Sequence, residues 1–375
     1  MELEWKRNVT ITTNESCNLN CIYCYENNKS NKSFDVEGAK VKLEKILNQK
    51  DGGGTTISFH GGEPFLVFDK IKTLCEWLWR QEFPEPYRCF ATTNGTLVHG
   101  EIQQWLCDHR DKFICSLSLD GNREMHNANR SNSFDLIDIH FFIKTWPYQG
   151  VKMTISKKTI TTLADGIIFL HKAGIPDIRA NLSEMTIWKE KELLFIYKRE
   201  LQKLASFYIE NPEIKPCSLF NVPFFKILED GTPQKWCGVG DAPSYDIDTD
   251  QIFPCHLFFP SVCGEEKSIG AKRIDFSKPS SYISKECAKC PFLRICPTCY
   301  GANYIDRGHP ASRDMYLCNF HKIRFAVVAE YEYERIKSTI GGENNRIDEH
   351  TRMKDIRNIE GIMKIISQLN EELQK

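Results

Sequence analysis

The sequence predicts an α/β fold: a partial (β/α)6 barrel over residues 1–211, a cysteine-rich domain over 212–320 and a helical extension over 321–375. Three observations predict it. Six strand-like segments alternate with helix-like ones, eight cysteines crowd into the stretch from Cys237 to Cys318, and the charged end carries a weak amphipathic pattern. Parallel strands each need a crossover helix, so six β/α units in series imply a parallel sheet.

The first unit begins at Val9–Thr13, whose β-branched content suits a short buried strand. It runs into Cys17-Asn18-Leu19-Asn20-Cys21-Ile22-Tyr23-Cys24, three cysteines spaced C-x3-C-x2-C. Asp35 then caps a helix with Val41, Leu43, Ile46 and Leu47 on its apolar side, and Gly52-Gly53-Gly54 stops it. Further strands are expected at Thr56–His60, Arg88–Thr92, Phe113–Leu119, Val151–Ser156 and Ile178–Leu182, with helices near 68–80, 99–109, 134–145, 162–173 and 189–209. Folds of this class place their sites at the C-terminal ends of the strands. Polar or glycine-rich turns stand there: His60-Gly61-Gly62-Glu63-Pro64, Thr92-Thr93-Asn94-Gly95, and Ser118-Leu119-Asp120-Gly121 followed by Arg130. Cys75, Cys89, Cys107 and Cys115 are scattered through these units and read as small buried hydrophobes.

Prolines 212, 216, 223 and 233 break the helical rhythm, and the turn-rich region after them holds Cys237, Cys255, Cys263, then Cys287-x2-Cys290-x5-Cys296-x2-Cys299, and Cys318. Beyond it a helix is expected with Phe325, Val328, Ala329 and Tyr333 on its apolar face, and the end from about Asn344 is expected to dock in cis.

Lys plus Arg (49) nearly balances Asp plus Glu (50), which argues against a nucleic-acid partner and against disorder. The opening residues lack a signal peptide's apolar run, and no long apolar stretch suggests a membrane, so a cytoplasmic location is expected. Sixteen cysteines in a reducing compartment point to metal ligation for the clustered ones. Three thiolates on a [4Fe–4S] cluster leave one iron with an open site, which can bind a substrate. The competing reading is zinc, held by the two C-x2-C pairs.

The C-x3-C-x2-C motif with Tyr23 before its third cysteine resembles the signature of the radical S-adenosylmethionine (SAM) enzymes. The resemblance implies that Cys17, Cys21 and Cys24 hold the cluster that cleaves SAM to a 5′-deoxyadenosyl radical. It also implies SAM contacts from Tyr23, Gly61, Gly62, Glu63, Pro64, Asn94, Ser118, Asp120 and Arg130. The Gly61–Pro64 stretch matches the family's GGEP motif, which takes the SAM amino group; Ser118 would meet the ribose, and Arg130 the SAM carboxylate or the substrate.

The second cysteine set resembles the SPASM domain of peptide-modifying members, which holds two auxiliary [4Fe–4S] clusters. Carried over, Cys237, Cys255 and Cys299 belong to the first, with Cys263 or Cys217 completing it or an iron left open for a substrate thiolate. Cys287, Cys290, Cys296 and Cys318 belong to the second. Two departures stand out: Asp250 replaces an expected glycine, and Cys296-x2-Cys299 is one residue short. Three [4Fe–4S] clusters and SAM are therefore the implied cofactors.

Two reactions share this scaffold. Sulfatase-maturating enzymes oxidise Cys or Ser to formylglycine and carry an aspartate after the second SPASM cysteine; here Phe253-Pro254-Cys255-His256 puts a histidine there. His256 can also take a proton. The departure favours the other reading, a maturase that crosslinks ribosomally made peptides through thioether or carbon–carbon bonds. Expected partners are a peptide or protein substrate and an external electron donor such as flavodoxin or ferredoxin. With the cluster motif starting at Cys17, leader recognition is expected from the tail, from barrel Lys/Arg or from a separate protein. The alternative from another class is a non-enzymatic zinc-binding interaction module.

Overall fold

The computed structural model describes residues 4–26, 29–50, 52–340 and 349–373. Six β/α units come first: β1 (Trp5–Thr12), α1 (Val36–Leu47), β2 (Gly54–His60), α2 (Phe68–Leu78), β3 (Tyr87–Thr93), α3 (Gly100–Asp108), β4 (Phe113–Ser118), α4 (Arg123–Asn129), α5 (Ile139–Thr145), β5 (Val151–Ile155), α6 (Leu163–Lys172), β6 (Ile178–Leu182) and α7 (Glu192–Glu210). The cysteine-rich stretch adds β7 (Ser244–Asp246), β8 (Gln251–Phe253), α8 (Pro260–Cys263), α9 (Glu265–Ala271) and α10 (Tyr300–Arg307); α11 (Met315–Ile340) and α12 (Glu349–Leu373) follow.

The sheet order is β6-β5-β4-β3-β2-β1-β7-β8. Its first six strands run parallel, the open barrel expected from the repeated units. Beyond β1 the sheet continues: β7 pairs in parallel with β1, and β8 turns back antiparallel to it. The hairpin of the cysteine-rich region thus completes an eight-stranded sheet begun by the barrel.

Alternation along each strand sorts the side chains. Ile57, Phe59, Cys89, Ala91, Cys115, Leu117, Val151, Met153, Ile178 and Ala180 are buried in the main core under the helices. Their neighbours His60, Thr92, Ser118, Lys152, Thr154 and Asn181 point the other way and line one cavity.

Several expectations need correction. Val41 was placed on the apolar face of α1 but is 70% exposed, while Leu43, Ile46 and Leu47 are buried as expected. The Asp35 cap is as expected, its carboxylate accepting from Glu37 N and Gly38 N. The helix expected over 134–145 is a short 3-10 turn at Phe134–Leu136 followed by α5, and α4 was not anticipated. The seven residues of α4 are too few to show a helical period. Cys107 is only partly buried, whereas Cys75, Cys89 and Cys115 are core residues. On the apolar face of α11, Phe325, Val328 and Ala329 are buried but Tyr333 is 38% exposed. The tail helix α12 packs on α11 and on the 3-10 turn Phe224–Leu228, with Ile362 and Ile365 fully buried.

Candidate functional site at the barrel mouth

The loop after β1 carries Cys17, Cys21 and Cys24, and the turn after β2 holds it in place. Gly62 N donates to Asn14 O at 3.1 Å and Glu63 N to Ser16 O at 2.9 Å, while the Asn14 amide donates to Glu63 O at 2.7 Å. The two backbones lie so close that only glycine fits. A Cβ on Gly62 would stand 1.9 Å from Ser16 O, and one on Gly61 2.2 Å from Asn14 O; Gly61 also has φ +128°. The GGEP resemblance assigns this stretch to the SAM amino group; the missing side chain of Gly62 leaves room for the cysteine loop, so Gly62→Val is expected to disrupt that loop directly.

Glu63 also turns inward. Its carboxylate accepts from Thr93 Oγ1 at 2.7 Å, from Asn94 N at 2.8 Å and from Phe65 N at 3.2 Å. Burial nevertheless pushes its pKa up to about 7. Asn94 extends the chain of contacts: its amide donates to Asn18 Oδ1 at 2.9 Å and approaches Cys17 Sγ at 3.9 Å. The turns after β2 and β3 and the cysteine loop therefore form one hydrogen-bonded unit.

Behind Cys21 lies an ionic core. Asp120, fully buried, pairs with Arg130 Nε at 3.0 Å, accepts from Thr154 N at 2.8 Å and Asn129 Nδ2 at 3.0 Å, and takes the Tyr23 hydroxyl. Arg130 in turn lies 3.9 Å from Cys21 Sγ and 5.4 Å from the centre of the Tyr23 ring. Burial pushes the Cys21 thiol up to about 11 against the pull of Arg130. Ligation by a metal would deprotonate it.

These elements enclose a cavity of about 330 Å³ at the C-terminal ends of the strands. Cys17, Cys21, Tyr23, Cys24, Gly61, Gly62, Glu63, Asn94, Ser118 and Arg130 line it. Pro64 and Asp120, also expected at the SAM site, are not among the residues lining this cavity. Pro64 opens a 3-10 turn capped by the Glu63 side chain, and Asp120 sits behind Arg130 as its counter-ion.

All sixteen thiols are unbridged. The structure brings the cysteines of the C-terminal region into two groups within electrostatic reach. Cys255 faces Cys237 and Cys263, and Cys299 faces Cys255 and Cys237. Cys296 and Cys318 face each other, and both face Cys287 and Cys290. The short Cys296–Cys299 spacing thus divides between groups, with Cys299 at the N-cap of α10, where its sulfur accepts from Ala302 N. Cys217 belongs to neither group's expected fourth place. It is buried in the main core beneath the Tyr208 hydroxyl, whereas Cys263 stands beside Cys255. Asp250 has φ +58°, which explains the glycine expected at that position. Aspartate tolerates this backbone better than most side chains.

The surroundings of the second group fit an anionic metal–thiolate centre. Arg313 and Arg324 are buried beside Cys296, and Arg313 Nε and Nη1 and Arg324 Nε and Nη2 have no hydrogen-bond partner. Leaving such donors unpaired is costly unless an acceptor occupies the space between them. Among the described residues no three His, Cys, Asp or Glu side chains close tightly enough to hold a single metal ion.

His256 does reach the site. Its ring lies 5.0 Å from that of His60 and 6.4 Å from that of Tyr25, and burial lowers its pKa to about 4. Tyr25, next to Cys24, lines the cavity and lies near the ring of His256, the neighbour of Cys255, so it brings the barrel loop up to the cysteine-rich region. Sequence reasoning missed Tyr25, His60, Lys152 and Glu184, all of which line the cavity. A signal existed for Lys152: a lone lysine in Val151–Ile155, within a parallel sheet whose strands are usually apolar on both faces. Glu184 gave none, since only the fold brings the loop after β6 to both the cavity and Cys299.

Residues 11–190 match the model of the radical SAM superfamily. An uncharacterised protein of Methanocaldococcus jannaschii is 26% identical over 223 residues, 56% of this chain and 76% of that one. A cysteine-type anaerobic sulfatase-maturating enzyme of Clostridium perfringens is 32% identical over 126 residues, 31% of this chain and 33% of its own length. Among solved structures, anSMEcpe with bound AdoMet superposes with a TM-score of 0.67 at 18% identity, over 94% of this chain and 98% of that one. Streptococcus suis SuiB bound to its precursor peptide SuiA gives 0.54 at 18% identity, over 84% and 76%. Likeness at such identities shows the shared fold. Among the described residues no helix is long and apolar enough to cross a membrane. The family match overturns the non-enzymatic alternative, and with the cysteine loop and its turns it makes this chain a radical SAM enzyme.

Proposed function

We propose that the chain is a peptide maturase, which takes a hydrogen from a ribosomally made peptide and leaves a thioether or carbon–carbon crosslink. The observation that carries this reading is the meeting at Tyr25, which follows Cys24, lines the barrel cavity and lies 6.4 Å from the ring of His256, the neighbour of Cys255. Cys17, Cys21 and Cys24 would hold a [4Fe–4S] cluster, which together with SAM would supply the radical chemistry. The chain's own residues shape what surrounds it. Asn94 and Arg130 approach the sulfurs, Ser118 offers a hydroxyl to the ribose, and the Asp120–Arg130 pair fixes the back of the cavity. Two auxiliary clusters are assigned to Cys237, Cys255, Cys263 and Cys299, and to Cys287, Cys290, Cys296 and Cys318. Flavodoxin or ferredoxin is the proposed electron donor, and a separate protein is proposed to present the leader.

Formylglycine formation is the second reading, favoured by the stretch of identity with the sulfatase-maturating enzyme. Position 256 argues against it, because His256 stands where that group carries aspartate. Mass spectrometry of the peptide encoded beside this gene, after incubation with reconstituted enzyme and SAM, separates the two. A crosslink removes two hydrogens, keeps every sulfur and leaves no carbonyl; formylglycine from cysteine loses the sulfur, and formylglycine from serine, also two hydrogens lighter, carries an aldehyde that a hydrazide reagent tags. A variant with Cys17, Cys21 and Cys24 all changed to Ala is expected to make no 5′-deoxyadenosine while keeping iron in its C-terminal region. Normal SAM cleavage by that variant would overturn the assignment.

A further inference from the structure

The cavity contains a cation that the SAM-binding residues do not account for. Lys152 projects from β5 between its register partners Ser118 and Arg179, and its Nζ donates to Thr92 Oγ1 at 3.0 Å. Among the described residues no carboxylate lies within ion-pairing distance of it. The acids nearest the cofactor side are already engaged: Glu63 by the turn after β3, and Asp120 by Arg130 and Tyr23. His60 lines the same cavity, with His256 packed 5.0 Å behind it, and burial keeps both rings neutral; Lys152 is therefore the cation of this wall, while Glu26 and Glu184 line the cavity without forming an ion pair with it. A half-buried ammonium held by one neutral hydroxyl and by the Phe90 ring 5.9 Å away has no counter-ion, and an arriving anion supplies one.

Resting on the peptide-maturase reading, we propose that Lys152, flanked by His60, binds a carboxylate of the peptide substrate. The carboxylate belongs either to an acidic side chain or to the peptide's C-terminus, and its capture orients the peptide across the barrel mouth. Arg130 is already paired with Asp120 and lies 3.9 Å from Cys21 Sγ, whereas Lys152 has no such counter-ion. Burial and Arg179 lower the affinity of Lys152 for its proton, which agrees with an electropositive wall that lacks its anion.

Calorimetry on reconstituted, SAM-loaded enzyme tests this with capped single residues. N-acetyl-aspartate N-methylamide is compared with its asparagine counterpart, and N-acetyl-glycylglycine with its C-terminal amide. The charged member of one pair is expected to bind at least about tenfold more tightly, the strength of a charge-assisted hydrogen bond. The pair that discriminates identifies the source of the carboxylate. Lys152→Met should abolish the discrimination, and Lys152→Arg, which keeps the charge, should retain part of it; a melting curve for each confirms folding. Equal binding of charged and neutral probes in both pairs would overturn the proposal. So would a Lys152→Met variant that loses SAM affinity instead, since Lys152 would then belong to the SAM site. Failure to cleave SAM at all would sink the maturase reading while leaving the carboxylate measurement intact.

Discussion

Arg324 shows how a single side chain reports on a missing neighbour. It sits on α11 with two guanidinium nitrogens buried and unpaired, near Cys296, while burial lowers its pKa. Nothing among the described residues offers it an ion pair. A metal–thiolate centre among Cys287, Cys290, Cys296 and Cys318 would be the compensating anion. Replacing the cation should therefore make that centre harder to reduce. For Arg324→Met the expected fall in midpoint potential is on the order of 0.1 V, from Coulomb's law over several ångströms at an effective dielectric of about 20. Redox titration followed by electron paramagnetic resonance reads it, with Arg324→Lys as the charge-preserving control. An unchanged potential in the Met variant would remove the arginine from the cluster's surroundings. Residue-scale reasoning from sequence found Arg130 but not Arg324, because no motif marks an arginine whose significance lies in having no partner.

At the scale of elements, the β7–β8 hairpin joins the two regions, and its turn rests on Asp250. The φ of +58° there is one that an L-residue with a Cβ adopts at a cost, offset in part by the hydrogen bond between Asp250 and the Tyr245 hydroxyl. Asp250→Ala loses that bond and keeps the strain, and should cost about 1–2 kcal/mol. Asp250→Gly loses the bond but removes the strain, so it should lie closer to wild type. Chemical denaturation of the reconstituted protein ranks the three; an Ala variant as stable as wild type would show that the turn tolerates the strain elsewhere. The order of the six β/α units was legible because short strand-like segments, β-branched in β1 and β2, alternate with segments long enough to show a helical apolar face. The hairpin was not, since β7 and β8 have only three residues each, too few for alternation to register.

Across the whole molecule, α11 ties the cysteine-rich region to the barrel. Cys318 lies in its first turn, and two residues later Phe320 is fully buried, edge-on to Trp188 at 5.1 Å and tilted against Tyr197 at 5.5 Å. The helix then packs along α7. Loss of the centre at Cys318 should therefore loosen the barrel as well as its own region. In Cys318→Ala we expect less iron and a single unfolding transition lowered by roughly 5 °C, as metal binding contributes to folding. Calorimetry and iron analysis check this together. Two separate transitions, with the barrel's unmoved, would mean that the two regions fold independently.

The sequence by itself determined the open parallel barrel, the cysteine loop at its mouth and the turns that close on it, because each depends on residues near one another in the chain. Spacing alone carried the C-x3-C-x2-C motif, and local patterning carried the strands. Tertiary structure alone decided that Cys217 is buried in the main core beside Tyr208, and that the space a side chain at Gly62 would need is filled by Ser16. It also placed Lys152, His60 and His256 on one wall. The reason is physical: burial, close backbone approach and unpaired charge arise from segments far apart in sequence, and none of them exists until the sheet has brought those segments together.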